Sequence, residues 1–149
     1  GGYPELYLAA LSANRPMLQS IRRYVENGGK LLAECGGMMY LCDEIRDKNG
    51  DVYPMAGVLH QSATMKNMKL RLGDRTLLYN DARLKGHEFH YSRLVEQQDP
   101  LPSCAVAYTA KGVETDTPLY HYKNVWAGYT HLYWADPAGN DWFTKFIIK

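Results

Sequence analysis

Cys35 lies in a short stretch whose residue types suit a nucleophile. The mostly apolar run Lys30–Glu34 is too short for a helix, and Gly36 and Gly37 directly follow the cysteine. This order predicts a strand, a tight turn and a helix. Such a turn exposes the sulfur to a cleft, and the positive end of the helix would lower the thiol pKa. We therefore expect Cys35 to attack acyl groups, with the Gly36 N–H as a donor to the oxyanion.

The competing interpretation is that Cys35 is a small buried hydrophobe, as free cysteines most often are. The pattern alone leaves the two interpretations open. Cys42 and Cys104 lack flanking glycine turns. For these two cysteines a structural role is favoured.

A thiolate nucleophile needs a base, which can be distant in the sequence. Of the five histidines, His131 follows the predicted strand Val125–Tyr129. The end of a strand is where the cleft of an α/β domain gathers its side chains, so His131 is our preferred base. A satisfied core histidine among aromatic residues is the alternative.

The segment Gly86-His87-Glu88-Phe89-His90-Tyr91-Ser92 holds two more histidines. In a strand, alternation places Glu88 and His90 on one face and His87 with Phe89 on the other. Only one of these faces can line a cleft. His60 and His121 have no suggestive context, so we expect them to be surface or structural residues.

The surrounding pattern indicates an α/β domain with a mixed sheet. A short helical stretch is predicted at Glu5–Leu11, followed by a helix that is capped by Asn14 and ends near Asn27 before Gly28-Gly29. After the helix that contains Met38–Leu41, the predicted strands are Val58–Leu59, Met65–Leu72, Thr76–Tyr79, Glu88–Val95, Ala105–Tyr108 and Val125–Tyr129. A terminal helix, Trp142–Ile148, should pack Trp142, Phe143, Phe146 and Ile147 onto the sheet.

The bulk composition restricts the class of protein. The 149 residues suit one domain, and a net charge of +1 gives no field for nucleic acid or an anionic membrane. We find no apolar run of roughly 20 residues, which a membrane span requires. Three cysteines without CxxC spacing indicate neither a disulfide framework nor a zinc site. We therefore expect a cytoplasmic protein, and the start at Gly1 without methionine suggests a fragment of a longer chain.

Three segments together resemble one known family: Gly1–Leu6, Ala33–Leu41 and Gly86–Ser92. They are similar to the class I glutamine amidotransferase domain of the cobyrinic acid a,c-diamide synthase and cobyric acid synthase family. Within that family the resemblance is strongest to the C-terminal part of the diamide synthases. It covers essentially the whole chain, residues 1–149, in order.

The resemblance implies a flavodoxin-like α/β fold and a Cys–His site. In the family a strand and a helix precede the Gly-Gly-Tyr-Pro loop, so we expect this chain to lack those two elements. The resemblance makes Cys35 the nucleophile and His131 the residue that activates it. Gly2 or Tyr3 would share the oxyanion with Gly36. In this family the segment that holds Glu88 and His90 would shape the glutamine pocket or a domain contact.

Two features depart from the family pattern. Many class I amidotransferases carry glutamate two residues after the histidine, where this chain has Tyr133, so a dyad is expected rather than a triad. The chain also has no P-loop sequence. The resemblance therefore places ATP and Mg²⁺ in a separate N-terminal synthetase domain, with no metal or cofactor bound by this one.

The function expected from the resemblance is hydrolysis of glutamine, supplying ammonia for amidation of the a and c carboxylates of the corrinoid cobyrinate. One alternative is another thiol hydrolase or peptidase of the same fold. A second alternative is a catalytically silent docking domain.

Overall fold

Helices and short strands alternate in the first third of the chain, and strands dominate the rest. The computed structural model describes residues 1–148, without the side chain of Ile147. A 3₁₀ turn at Pro4–Leu6 precedes the helices α1 (Leu8–Ala13), α2 (Arg15–Glu26), α3 (Gly36–Leu41) and α4 (Pro137–Ile148). The strands are β1 (Leu31–Glu34), β2 (Glu44–Arg46), β3 (Val52–Pro54), β4 (Ser62–Thr64), β5 (Arg71–Tyr79), β6 (Ala82–His90), β7 (Arg93–Leu94), β8 (Val106–Thr109), β9 (Glu114–Thr115), β10 (Leu119–Tyr122), β11 (Val125–Gly128) and β12 (His131–Leu132).

Helix α2 has the boundaries that its sequence predicts. The Asn14 side chain accepts a hydrogen bond from the Met17 N–H at 3.3 Å, which caps the first turn. At the other end Gly28 takes a φ of 84°, and its N–H donates to the Val25 carbonyl. The buried face of the helix includes Leu18 and Val25. The amphipathic repeat and its caps therefore determine this element locally.

The described strands form three sheets, two of which mix parallel and antiparallel pairs. The first has the order β1-β11-β10, with β1 parallel to β11. The second, β12-β6-β5-β8-β9, is antiparallel, and the third, β3-β2-β4-β7, pairs β2 with β4 in parallel. The α/β class with mixed sheets is confirmed.

Two strand pairings bring distant parts of the sequence to one place. In the first sheet Glu34, the residue before Cys35, lies opposite Gly128. In the second sheet His131 lies opposite His87. The short loop between Gly128 and His131 therefore joins β11, which pairs with the strand before Cys35, to β12, which contains His131.

Two apolar cores support these sheets. The larger core lies under α2 and α3 and includes Val25, Met38, Met39, Ile45 and Val125. The smaller core lies under α4 and includes Leu77, Leu84, Leu132 and Trp142. Phe143 packs against the smaller core and the ring of Phe146 stacks on Trp142, as predicted, whereas the Ile147 side chain is outside the described part.

Several predicted strands are wrong. Val58 and Leu59 are buried but form no strand, because both N–H groups donate to the Leu41 carbonyl at the end of α3. In the predicted strand Met65–Leu72, Asn67 adopts a left-handed turn with φ 55°, and β5 begins only at Arg71. The run Glu88–Val95 is interrupted at Tyr91 and Ser92, where the chain leaves the second sheet for the third.

Other element boundaries also differ from the predictions. Helix α4 begins earlier than predicted, at Pro137. The short strands β2, β3, β4, β9, β10 and β12 had no sequence prediction. Each has two to four residues, which is too few for a period-2 pattern to be visible.

Candidate active site

Cys35 occupies the tight turn between β1 and α3. Its φ of 52° and ψ of −111° are unusual for a residue with a side chain, and its N–H donates to the Gly128 carbonyl at 2.8 Å. Its own carbonyl accepts the first helical hydrogen bond of α3, from Met39, at 3.0 Å. The predicted strand–turn–helix arrangement is therefore present, with the cysteine in strained backbone.

The expected lowering of the Cys35 pKa is wrong for this structure. Burial raises the pKa of the thiol, and the nearby backbone N–H of Gly36 offsets only part of that effect. The residue is only 6% exposed, and its Sγ atom donates to the Phe89 carbonyl at 3.6 Å. A six-residue helix does not outweigh this loss of solvent. Cys35 at rest is therefore stabilised as a thiol.

His131 lies in β12, an edge strand of the second sheet. Its ring stacks on that of His87, with ring centres 5.1 Å apart and planes 21° from parallel. Burial lowers the pKa of His131, and the charges of His87 and His90 lower it further. A lowered pKa favours the neutral imidazole, which is the form that can accept a proton.

Cys35 and His131 share no hydrogen bond within residues 1–148, although they have common neighbours. Phe89 and His87 belong to the same strand, and these residues contact the cysteine and the histidine respectively. Glu34, the residue before the cysteine, approaches His131 directly. The structure therefore brings the two predicted residues into one region but does not join them.

Glu34 is a residue of this site that the sequence analysis missed. Its Oε1 atom accepts a hydrogen bond from the Leu132 N–H at 3.1 Å, and its Oε2 atom lies 3.8 Å from His131 Nδ1. Burial raises the pKa of this carboxyl group. Tyr133, at the position where many class I amidotransferases carry glutamate, instead donates to Asp74 at 3.2 Å. The carboxylate next to His131 therefore comes from the residue that precedes Cys35.

The N-terminal loop lies against both His131 and the turn that holds Cys35. A Cβ atom on Gly1 would lie 3.0 Å from Cε1 of His131, and one on Gly36 would lie 2.5 Å from the Gly2 carbonyl oxygen. The loop that contains the two predicted second donors, Gly2 and Tyr3, therefore lies against the first predicted donor, Gly36.

Glu88 and His90 lie on the buried face of β6, as the alternation predicts. Glu88 is 1% exposed and bonds to three side chains: it is ion-paired with Arg75, accepts from Thr117 at 2.9 Å and lies 3.1 Å from His90 Nε2. The other His90 nitrogen lies 2.8 Å from the Ser92 carbonyl oxygen. Both side chains line a cleft of about 230 Å³, but their polar atoms already bond to other groups of the protein. Contact between them and glutamine stays a prediction.

The chain matches one known protein family over most of its length. The model of the CobB/CobQ-like glutamine amidotransferase domain matches residues 1–139. The chain belongs to this amidotransferase family. The segments around Cys35, His131 and Gly86–Ser92 all lie within the matched range.

The relatives of this amidotransferase domain include a,c-diamide synthases. The chain is 38% identical to hydrogenobyrinate a,c-diamide synthase of Stutzerimonas stutzeri and to cobyrinate a,c-diamide synthase of Caldanaerobacter subterraneus, over 89% of its length in each case. It is 33% identical, over 91% of its length, to the cobyrinate a,c-diamide synthase of Salmonella typhimurium. The chain spans only about 30% of the length of these relatives.

Two kinds of feature are absent from the described part of the amidotransferase domain. Within residues 1–148 no three His, Cys, Asp or Glu side chains are grouped in a way that could hold a metal ion. No helix among the same residues is long and apolar enough to cross a membrane.

The residues missed by sequence reasoning had only weak signals. Glu34 belongs to the Glu-Cys-Gly-Gly motif itself but has no spacing relationship to His131, 97 residues later. His87 was recognised as part of a motif, yet its stacking on His131 depends on the pairing of β12 with β6. Pairing between strands that are far apart in the sequence cannot be predicted from a local sequence pattern.

Proposed function

We propose that this domain hydrolyses the side-chain amide of glutamine to glutamate and ammonia, with Cys35 as nucleophile and His131 as its base. The observation that carries the proposal is the backbone of Cys35, which has a positive φ between a strand and a helix that begins with Gly36. Nucleophiles of acyl transfer recur at such strained turns because the turn presents the side chain and a neighbouring N–H together.

The reaction begins with transfer of the Cys35 proton to His131. The thiolate then attacks the amide carbon of glutamine, and the resulting oxyanion is held by the N–H group of Gly36 together with that of Gly2 or Tyr3. The imidazolium returns its proton to the leaving nitrogen, so that ammonia departs and a thioester remains. Water, deprotonated by His131, attacks the thioester and releases glutamate, which regenerates the thiol.

The raised pKa of Cys35 fits a site that is quiescent without substrate. The thiol donates to the Phe89 carbonyl and has no bond to His131 within the described residues. A working dyad needs the two side chains within hydrogen-bond distance, and such bonds often tighten only in the substrate complex. We infer that binding of glutamine, or closure by a partner domain, brings Cys35 to His131.

The ammonia would serve an ATP-dependent synthetase domain on the N-terminal side of this one. There, acyl phosphates on the a and c acetate groups of cobyrinate or a related corrinoid would be converted to amides, and ATP and Mg²⁺ would act in that domain. The names of the relatives and the 30% of their length that this chain spans support this proposal. In this proposal residues 1–149 form the glutaminase unit.

The test is Cys35→Ala in the full-length protein, assayed with glutamine and separately with ammonium salt as nitrogen donor. We expect loss of glutamine-dependent amidation and retention of ammonia-dependent amidation. Cys104→Ala, which changes a half-buried cysteine away from the turn, should leave both activities intact. Glutamine use by the Cys35→Ala protein would refute the assignment.

A further inference from the structure

Glu34 contacts both the cysteine turn and the histidine strand. It ends β1, immediately before Cys35, and its carboxylate crosses to β12. We propose that Glu34 is the positioning residue for His131 and the anion that balances the imidazolium during proton transfer. This inference rests on the proposed role of His131 as the base of glutamine hydrolysis.

The two oxygens of Glu34 have different environments. Oε1 is fixed by the Leu132 N–H at 3.1 Å, one residue beyond the histidine. Oε2 is left facing His131 Nδ1 at 3.8 Å. Because the backbone beside His131 holds the carboxylate, the second oxygen has a defined place from which to orient the ring. A contraction of less than about 1 Å would convert the contact into a hydrogen bond.

The groups around His131 disfavour its protonated form, and the Glu34 carboxylate can offset that effect. His87 stacks on the ring from β6, and His90 acts from the same strand. Both histidines disfavour a positive charge on His131. A proton taken from Cys35 creates such a charge, and Glu34 from β1 is the anion that adjoins it. Its carboxylate would stabilise the imidazolium by Coulombic attraction.

This role is the one that a third residue has in Cys–His and Ser–His sites. There, an acidic or amide side chain on the far nitrogen fixes the tautomer and orientation of the imidazole. Tyr133, which occupies the position of that residue in the motif, is turned towards Asp74. Glu34 faces Nδ1 and would leave Nε2 for the cysteine. The site would then be a triad whose third residue directly precedes the nucleophile.

The test uses Glu34→Gln in the full-length protein. The amide oxygen can still accept from the Leu132 N–H, so the backbone anchor persists and only the charge is removed. Glu34→Asp retains the charge at shorter reach, and Glu114→Gln is a matched control on the exposed surface of β9. The pKa of His131 is measured from the pH dependence of deuterium exchange at its Cε1–H. The tryptic peptide of residues 124–145 contains His131 as its sole histidine.

We expect Glu34→Gln to lower the pKa of His131, because a neighbouring negative charge favours the protonated ring. The kcat for glutamine should fall about tenfold for each unit of that shift, with KM little changed. Glu34→Asp should recover part of both effects, and Glu114→Gln should change neither.

An unchanged pKa of His131 in a folded Glu34→Gln protein would overturn the inference. So would a normal kcat. If the pKa falls as expected but the unmodified protein does not hydrolyse glutamine, the Glu34–His131 relationship stands and the proposed function fails. The two claims are therefore separable in one set of proteins.

Discussion

The carbonyl oxygen of Gly2 packs against Gly36 so closely that a Cβ atom at position 36 would lie 2.5 Å from it. The same Cβ would lie 2.8 Å from Cδ of Pro4. Real Cβ atoms do not approach backbone oxygens this closely. The N-terminal loop and the cysteine turn therefore fit together only because residue 36 has no side chain, and both proposed oxyanion donors depend on that fit.

Gly36→Ala should displace the N-terminal loop and impair glutamine hydrolysis, at a cost of about 1–3 kcal/mol in stability from overpacking. Gly37→Ala is the matched control, because its Cβ would meet the Ala33 Cβ at an ordinary 3.6 Å. Glutaminase rates and urea unfolding curves of the two variants provide the measurement. Equal behaviour of Gly36→Ala and Gly37→Ala would show that the close approach is unimportant.

Glu88→Ala should destabilise the protein strongly. It leaves Arg75 and His90 buried without their shared carboxylate, and removal of one partner from a buried ion pair costs about 3–5 kcal/mol. The free energy of unfolding in urea measures this, with the exposed Glu114→Ala as control. A loss below about 1 kcal/mol would mean that Glu88 contributes little to the fold.

Acid should remove the stabilisation that Glu88 provides. Burial acts to raise the pKa of Glu88, but hydrogen bonds with His90 and Thr117 and the charge of Arg75 outweigh it, so the pKa lies below the ordinary 4.5. A lowered folded-state pKa gives stability that is complete above the unfolded value and lost as the pH falls through the folded value. The advantage of the unmodified protein over Glu88→Gln should therefore shrink below pH 4.5. A difference that stays constant from neutral pH to well below that value would contradict this account.

His87→Phe should raise the pKa of His131. The substitution keeps an aromatic ring for stacking but removes a charge that lowers the pKa of His131. Deuterium exchange at the Cε1–H of His131 reads the shift directly, and His60→Asn, which changes an exposed histidine, is the control. An unchanged or lowered pKa in His87→Phe would show that the stacked ring carries no charge relevant to His131.

The fold was predictable from sequence where local signals suffice. Asn14 and Gly28 delimit α2, and Cys35-Gly36-Gly37 marks the turn, because caps and tight turns involve neighbours in the chain. Val58 and Leu59 were mistaken for a strand because their burial is visible in sequence, whereas their bonds to the Leu41 carbonyl are not.

In the candidate site, too, the local features were predictable and the contacts between distant segments were not. Residue identities selected Cys35 and His131, but the contacts of Glu34 and His87 with His131 arise from pairing between strands far apart in sequence. The pKa of Cys35 was misjudged because the helix N-terminus is a local feature. Burial beneath β6, which outweighs it, depends on the folded sheet.

The three cysteines should differ in reactivity in the folded protein. Burial raises the pKa of Cys42 to about 12 and that of Cys104 to about 11, and Cys42 is fully buried. Brief treatment with iodoacetamide at mildly alkaline pH should therefore leave Cys42 unmodified until urea unfolds the chain. Peptide mass spectrometry measures each site. Rapid modification of Cys42 in the native protein would contradict its placement in the core.

The proposed chemistry makes Cys35 the attachment point of a glutamine analogue. The most direct measurement is mass spectrometry of the full-length protein after incubation with diazo-oxo-norleucine, with and without His131→Ala. The account predicts an adduct confined to Cys35, prevented by excess glutamine and strongly reduced by His131→Ala. An adduct at Cys42 or Cys104, or no adduct in a folded protein that still hydrolyses glutamine, would contradict the assignment of Cys35 as the nucleophile.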